Sequence, residues 1–119
     1  MSDFGDILKD KCMNFAIRVV NLCRFLNEEK RESRMSDQLF RSGTSIGANL
    51  AEAQCAVSRN DFIAKVYISL KECNESLYWL ELLQKTNFLS IQQYESINSD
   101  CLELKKILIS VTKTARKDN

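Results

Sequence analysis

Apolar residues recur at steps of three and four along almost the whole chain, which is the spacing of amphipathic helices. No stretch shows the period-two alternation that a half-buried strand requires. Zero prolines and three glycines in 119 residues leave little to interrupt a helix. The pattern therefore predicts an all-α protein. The first helix, over about residues 4–30, carries an apolar stripe made of Phe4, Ile7, Leu8, Cys12, Phe15, Val19, Leu22, Cys23 and Leu26.

Three further helices are predicted over about residues 36–55, 60–84 and 91–116. Four apolar stripes joined by short connections are most simply buried in an antiparallel up-and-down four-helix bundle, which makes residues 1–119 a single domain. The expected inward positions of helices two, three and four are Leu39, Gly43, Ile46, Leu50 and Ala53, then Ile63, Val66, Leu70, Cys73, Leu77 and Leu80, then Tyr94, Ile97, Cys101, Leu104, Leu108, Val111 and Ala115.

Polar residues at the expected helix starts predict N-caps. Ser36 is the expected N-cap of helix two. Ser90, followed three residues later by Gln93, forms a capping-box pattern at the start of helix four. The candidates for the N-cap of helix three are Ser58, Asn60 and Asp61.

Helix two is unusually rich in small residues, and its two glycines cost roughly 1 kcal/mol each relative to alanine. We expect packing to compensate, because small side chains let neighbouring helices approach closely. A phosphate-binding glycine loop is the alternative, but no strand precedes the segment and the spacing of that motif is absent. The small residues are Ser42, Gly43, Gly47, Ala48 and Ala51.

The chain contains five scattered cysteines, no CxxC pair and no histidine. These features argue against a disulfide framework, a zinc site and catalysis by a Cys/His or Ser/His pair. Cys73 and Cys101 fall on apolar stripes, so we expect them to be small buried packing residues. The sequence therefore predicts no cofactor, no metal and no enzyme activity.

Composition and the N-terminus bear on location. Hydrophobic residues make up 45% and charged residues 28% of the chain, as in ordinary soluble domains. No apolar run is long enough to span a bilayer, and the N-terminus has acids and lysines where a secretory signal needs apolar residues. We expect a cytoplasmic protein that has no membrane partner.

Two segments carry a family resemblance: SIGANLAEAQ at residues 45–54 and DFIAKVYISLKECNESLYWLELL at residues 61–83. They resemble the bacterial four-helix-bundle proteins named for intervening sequences in large-subunit ribosomal RNA genes. Asn49 and Glu52 stand where the Asn-Ile-Ala-Glu signature of that family has its polar pair. Leu50 replaces the isoleucine, and Ala53 takes the place of a common glycine.

The resemblance implies a non-enzymatic bundle that assembles as a ring, typically a homopentamer. A related accessory protein of diversity-generating retroelements is also a pentameric bundle, and it binds nucleic acid together with a reverse transcriptase. The resemblance therefore points to a homo-oligomer, with RNA or DNA, or another protein, as the further partner.

Two helices carry apolar residues that point away from their stripes on a helical wheel of about 100° per residue. Large off-core apolar residues often mark interfaces, and tryptophan is enriched at hot spots. We expect the two lines to meet between subunits, whereas the alternative is that they pack against neighbours within one subunit. The lines are Ile68, Trp79 and Leu82 in helix three, and Ile91, Leu102 and Ile109 in helix four.

A polar line also follows helix two and faces carboxylates of helix three. Close packing would bury these groups, and a buried arginine needs a carboxylate partner. We expect Arg41 to contact Glu52, Glu72 or Glu75 and so to fix the register of the two helices, although a solvated face is the alternative. The residues are Arg41, Ser45, Asn49 and Glu52 in helix two, and Glu72 and Glu75 in helix three.

Charge is uneven along the chain although the net charge is only +1. Residues 35–104 carry five basic and nine acidic side chains, whereas residues 105–119 carry five basic and one acidic. The five cations of the second segment fall within about 120° of one helix face. They are Lys105, Lys106, Lys113, Arg116 and Lys117.

This basic end of helix four predicts electrostatic binding of an RNA or DNA backbone, with weak sequence preference and steep salt dependence. No aromatic residue interleaves with these cations in the sequence, so base stacking is not expected. One alternative is a solvated helix end whose cations complement the helix dipole. The other is a scaffold whose partner is a protein, which the near-neutral net charge favours.

Overall fold

The computed structural model describes residues 3–117 of the chain and the side chains of residues 5–117. It contains four helices, α1 (Asp3–Glu28), α2 (Arg34–Ala53), α3 (Arg59–Lys85) and α4 (Ile91–Lys117). No strand occurs within these residues. The helices form an elongated bundle that measures 47 × 22 × 21 Å. The predicted all-α four-helix bundle is thus confirmed, and Phe4 lies outside the described side chains.

The helices pack in chain order around a common core. α2 packs against α1 and α3, and α4 packs against α3 and α1. Arg59 at the start of α3 donates to the carbonyl of Ala115 at the end of α4, a distance of 3.3 Å, as expected for antiparallel neighbours. Short connections therefore place successive helices side by side, in the up-and-down arrangement.

The apolar stripes of α1 and α2 form one wall of the core. Phe15, Val19 and Leu39 are almost completely buried, as the periodicity predicts. Ile7 was expected on the same stripe but is exposed. Its position on the wheel lies about 120° from the centre of the buried stripe of α1, so it points away from the core.

Helix α3 is rotated toward α2 relative to the predicted heptad seam. Val66, Cys73 and Leu80 are buried as expected, whereas the other predicted positions Ile63, Leu70 and Leu77 are only half-buried. In their place the helix buries Ser69, Ser76 and Leu83. The same shift occurs on a smaller scale in α2 and α4, where Leu50, Tyr94 and Val111 are half-buried and Thr112 is buried.

Small residues on both helices explain the rotation of α3. The hydroxyls of Ser42 and Ser76 lie 2.9 Å apart in the α2–α3 interface. The Ser69 hydroxyl donates to the carbonyl of Ile46 across the same interface, at 2.8 Å. Serine is small enough for this close approach, and its hydroxyl is satisfied by the facing helix.

The two glycines of α2 serve the other neighbour, α1. A Cβ atom on Gly43 would lie 2.8 Å from Cγ2 of Val19, and one on Gly47 would lie 3.3 Å from Cβ of Cys12. Ala48 and Ala51, which were expected between helices, are instead exposed. Small residues therefore bring α2 close to both of its neighbours. Ser42 makes the approach to α3, and Gly43 and Gly47 make the approach to α1.

Helix starts follow the predicted capping at two of three positions. Ser58 accepts from the amide of Asp61 at 3.1 Å, and Ser90 and Gln93 form the reciprocal bonds of a capping box. Ser36 is not the N-cap of α2, because the helix already begins at Arg34.

The first turn of α2 is capped by a carboxylate rather than by a serine hydroxyl. Glu32 accepts from the amides of Met35 at 3.0 Å and Ser36 at 2.9 Å. A carboxylate complements the positive end of the helix better than a hydroxyl does. This leaves the Ser36 hydroxyl free to accept from the Asn27 side chain at 3.0 Å, between α1 and α2.

Candidate functional site

The basic end of α4 lies beside the start of α3. Lys106, Lys113, Arg116 and Lys117 are exposed, whereas Lys105 is half-buried against the α3–α4 seam. The structure thus keeps four of the five predicted cations available to solvent on the outside of the bundle.

An aromatic ring lies within this basic end, contrary to expectation. The guanidinium of Arg116 sits 5.3 Å from the ring centroid of Tyr67, which is on α3. In the sequence, no aromatic residue stands among the cations of α4. Tyr67 is far from Arg116 in the sequence and becomes its neighbour only when the two helices pack.

Nearby carboxylates are engaged on other sides of these helices. Glu72 and Glu75 of α3 both contact Arg41 of α2, and Glu103 of α4 contacts Lys11 of α1. Asp61 accepts from the amide of Val57 at the start of α3, at 3.2 Å. These are the only acidic residues in segments 59–78 and 101–117. Three of these four carboxylates are paired with cations of other helices, so the cations of α4 outnumber the unpaired carboxylates of these segments.

The structure brings Arg41 together with the predicted carboxylates of α3. Its Nη1 atom lies 3.0 Å from Oε2 of Glu72, and its Nη2 atom contacts Glu75. Glu75 also accepts from the Trp79 indole at 2.9 Å. The set is not buried, however, because Arg41 is about half-exposed. The small residues of the α2–α3 interface occupy the buried side, so the ion pairs lie at its edge.

The rest of the polar line does not join this contact. Asn49 donates to the carbonyl of Ser45 within α2 at 2.8 Å. Glu52 is exposed and lies 3.4 Å from the Lys65 ammonium of α3. Two separate ion-pair contacts therefore connect α2 and α3, rather than one buried network.

The predicted apolar lines are partly exposed. Ile68, Ile91 and Leu102 are exposed, and Trp79, Leu82 and Ile109 are half-buried. On the helical wheel Ile68 and Trp79 lie toward α2, whereas the residues of the α4 line lie toward α3. The two lines therefore belong to different sides of the bundle.

Another apolar surface escaped the sequence analysis. On α1, Met13 is 60% and Ile17 is 51% exposed, and on α2, Phe40 is 46% exposed. Phe40 shares a helix side with Gly47, which faces α1, and Met13 lies toward α2 on the helical wheel of α1, so these two residues flank the α1–α2 seam. Ile17 lies beside Met13 on the outer side of α1, roughly opposite the buried stripe. Met13, Ala16, Ile17 and Val20 follow a helical period of their own, which was the signal available in the sequence.

The buried cysteines are packing residues, as expected for Cys73 and Cys101. Their sulfur atoms lie 3.7 Å apart in the α3–α4 interface, and both residues are fully buried. Burial raises the pKa of Cys12 to about 12. A thiol with such a pKa is almost fully protonated at neutral pH and is therefore a poor nucleophile.

A shallow groove of about 390 Å³ lies between α1 and α4. Arg18 crosses it and donates to Asp100 at 2.7 Å and to the Ser96 hydroxyl at 2.8 Å. The guanidinium is thus already paired within the protein.

Within residues 3–117, no set of three or more cysteine or acidic side chains is arranged to hold a metal ion. Over the same residues, no helix combines the length and the apolar character needed to cross a membrane.

Comparisons with known proteins give one family. A sequence model described as 23S rRNA-intervening sequence protein matches residues 7–110. A crystal structure at 1.70 Å of a protein with unknown function from the S23 ribosomal protein family of Bacteroides thetaiotaomicron VPI-5482 superposes with a TM-score of 0.91. That protein is 55% identical, and the alignment covers 92% of this chain and 98% of the other. No curated protein matches.

Proposed function

Because the chain belongs to the 23S rRNA-intervening sequence protein family, we propose that it is a non-enzymatic bundle that binds the backbone of RNA or DNA through the basic end of α4. The family name links these proteins to ribosomal RNA, so RNA is the first partner to test. We also propose that the protein is located in the cytoplasm and that it is related to the retroelement accessory protein.

One observation carries the proposal. Lys106, Lys113, Arg116 and Lys117 are exposed together, while the acidic residues of the adjoining segments contact Arg41, Lys11 or a backbone amide. Unneutralised cations on one surface attract phosphates and release their counterions. Such contacts position a nucleic acid but do not read its sequence.

Self-association is the second part of the proposal. The observation that favours it is the number of large apolar side chains left exposed, on α1 and α2 as well as on the predicted lines of α3 and α4. Exposed apolar surface of this kind is removed from water when subunits associate. A ring, with five subunits as the first expectation, would also repeat the basic end of α4 around one axis. A protein-binding scaffold remains the alternative use of the same surfaces.

The proposed binding is tested by its salt dependence. The triple variant Lys106→Gln, Lys113→Gln and Lys117→Gln should bind RNA and DNA more weakly and should reduce the slope of log affinity against log salt by roughly 2–3, because each phosphate contact contributes about 0.7–0.9. Arg116 is kept, since its guanidinium packs on Tyr67. Affinity is measured by fluorescence anisotropy between low and physiological salt.

A matched control removes the same charge from the opposite end of the bundle, with Arg24→Gln, Arg34→Gln and Lys85→Gln. These side chains are also exposed. If both triple variants lose affinity equally, net charge rather than the basic end is responsible. A wild-type affinity that does not change with salt would refute electrostatic binding altogether.

A further inference from the structure

One side of α3 carries two tyrosines with a lysine and an asparagine between them. Tyr67, Lys71, Asn74 and Tyr78 follow each other at spacings of four, three and four, which places them on one side of the helix. Tyr78 is 57% exposed, Lys71 and Asn74 are exposed, and Tyr67 is half-buried. The contact between Tyr67 and Arg116 shows that this side of α3 borders α4.

The adjoining side of α4 supplies further cations. Lys105, Lys106, Lys113 and Arg116 lie on the side of α4 that is turned toward α3 and solvent. Within the part of the chain that the structure describes, none of them, nor Lys71, lies within salt-bridge distance of a carboxylate. Over residues 67–78 of α3 and 105–116 of α4, this α3–α4 outer face is therefore a basic surface that also presents aromatic rings. Its acidic residues, Glu81 and Glu95, lie near Tyr94, beyond Tyr78 along the same helix pair.

Such a surface fits single-stranded nucleic acid better than a duplex. Aromatic side chains stack on unpaired bases of any sequence, while lysines follow the phosphates. In a duplex the bases are already stacked inside the helix, and only the phosphates remain available. A planar guanidinium that lies on a tyrosine ring can itself stack on a base.

We infer that the α3–α4 outer face binds single-stranded RNA or DNA, with bases stacked on Tyr78 and on the Arg116–Tyr67 pair and with phosphates near Lys71 and Lys106. The inference rests on the proposed function and adds the strand state of the ligand. Tyr67 and Tyr78 are about 16 Å apart along the helix axis, which corresponds to roughly five stacked nucleotides. The sequence predicted electrostatic contacts without base stacking. Electrostatic binding alone and binding with stacking therefore lead to different expected results.

Substitution of Tyr78 separates stacking from charge. Wild-type protein should bind 20-nucleotide single strands more tightly than a duplex of the same sequence at equal salt. Tyr78→Ala should weaken single-strand binding about tenfold, because stacking contributes about 1–3 kcal/mol per base, and should leave duplex binding unchanged. Tyr78→Phe keeps the ring and should recover most of the affinity. Anisotropy of labelled strands measures each constant.

Phe40→Ala is the matched control for this substitution. Phe40 is an aromatic residue of similar exposure, 46%, but it lies on α2, away from the α3–α4 outer face. Phe40 also borders the proposed subunit contact, so its removal should alter single-strand and duplex binding equally and leave their ratio unchanged. A ratio of single-strand to duplex affinity that falls equally in Tyr78→Ala and Phe40→Ala would contradict a stacking site at Tyr78.

The single tryptophan gives an independent readout. The ring of Trp79 lies 5.1 Å from the Tyr78 ring in an edge-to-face arrangement. A base that stacks on Tyr78 should change Trp79 emission on addition of single strands, and the duplex should produce no such change. Emission that is insensitive to saturating single strand would overturn the inference.

The outcomes also separate this inference from the proposed function. If the triple lysine variant loses affinity for all strands while Tyr78→Ala binds like wild type, the backbone proposal stands and the stacking site is refuted. If no nucleic acid binds at low salt, both fail. When single strands bind, parallel titrations with RNA and DNA strands show whether the 2′-hydroxyl contributes to binding. The comparison therefore identifies which of the two nucleic acids is preferred.

Discussion

At the scale of single residues, α2 approaches α1 closely at Gly43, which faces Val19. A Cβ atom at position 43 would lie 2.8 and 2.9 Å from the two γ carbons of Val19, which is fully buried and branched. Gly47 is less restricted, since a Cβ there would meet only Cβ of Cys12, at 3.3 Å. The two glycines of one helix thus have different packing constraints.

Gly43→Ala should destabilise the protein by about 1–3 kcal/mol, because overpacking outweighs the gain in helix propensity of roughly 1 kcal/mol. Gly47→Ala is the matched control and should change stability by less than about 1 kcal/mol, since the small overlap and the propensity gain nearly cancel. Urea denaturation measures both. A Gly43→Ala variant as stable as wild type would show that Val19 moves aside without cost.

At the scale of helices, α1 and α3 are each followed by a residue with a left-handed backbone, but the type of that residue differs. Asn87 after α3 has φ 69° and Arg31 after α1 has φ 54°. At Asn87 the following amide, of Phe88, donates to the carbonyl of Leu83 at 2.9 Å, which closes the helix end. Asparagine tolerates this conformation, whereas arginine adopts it at a cost of about 1–2 kcal/mol.

Arg31→Gly should therefore stabilise the protein by about 0.5–1 kcal/mol, because glycine adopts a positive φ without steric cost. Arg31 is exposed, so little packing is lost. Asn87→Gly is the control and should gain clearly less, since asparagine already tolerates the conformation. Equal gains at the two positions, measured by thermal and urea unfolding, would mean that the residue type at position 31 is not the limiting factor.

At the scale of the whole molecule, the bundle exposes apolar residues on several sides. Met13 and Phe40 flank the α1–α2 seam with Ile17 beside them, Ile68 lies on the α2 side of α3, and Ile91 and Leu102 lie near the basic face of α3 and α4. Subunits that associate through the α1–α2 seam leave the α3–α4 outer face open to nucleic acid. Association through Leu102 would instead cover part of that face.

Ile17→Glu should lower the mass in solution to that of a monomer, because a charge buried in an apolar contact is costly. Leu102→Glu should leave the mass unchanged. Light scattering on a sizing column, with absorbance recorded at the nucleic-acid and protein maxima, measures both variants.

If Leu102→Glu lowers the mass and Ile17→Glu does not, the subunit contact lies on the predicted α4 line. Part of the α3–α4 outer face would then be covered by a neighbouring subunit and closed to single strands. A monomeric wild type would remove self-association from the proposal. Co-elution of nucleic acid with wild type, but not with the triple lysine variant, would connect assembly to the basic end.

The sequence by itself determined the helices, their approximate limits and most of their caps. Period-three and period-four spacing identified the stripes that contain Phe15, Leu39 and Leu108, and the capping box of Ser90 with Gln93 was predictable from spacing alone. The cap of α3 was predicted only as one of Ser58, Asn60 and Asp61, and it is Ser58. These features depend on residues within about one turn of each other, so a local pattern contains the necessary information. The small residues of α2 likewise predicted close packing against neighbouring helices.

Only the tertiary structure decided how each helix is rotated and what it meets. The burial of Ser69 and Ser76, the exposure of Ile17 and the position of Tyr67 beneath Arg116 all depend on a neighbouring helix that is distant in sequence. When an apolar stripe is wider than the helix–helix interface, the sequence does not specify which edge of the stripe is buried. The rotation of the helix is decided by how its side chains pack against the neighbouring helix. For the same reason the basic end of α4 was visible in the sequence, whereas the aromatic residues beside it were not.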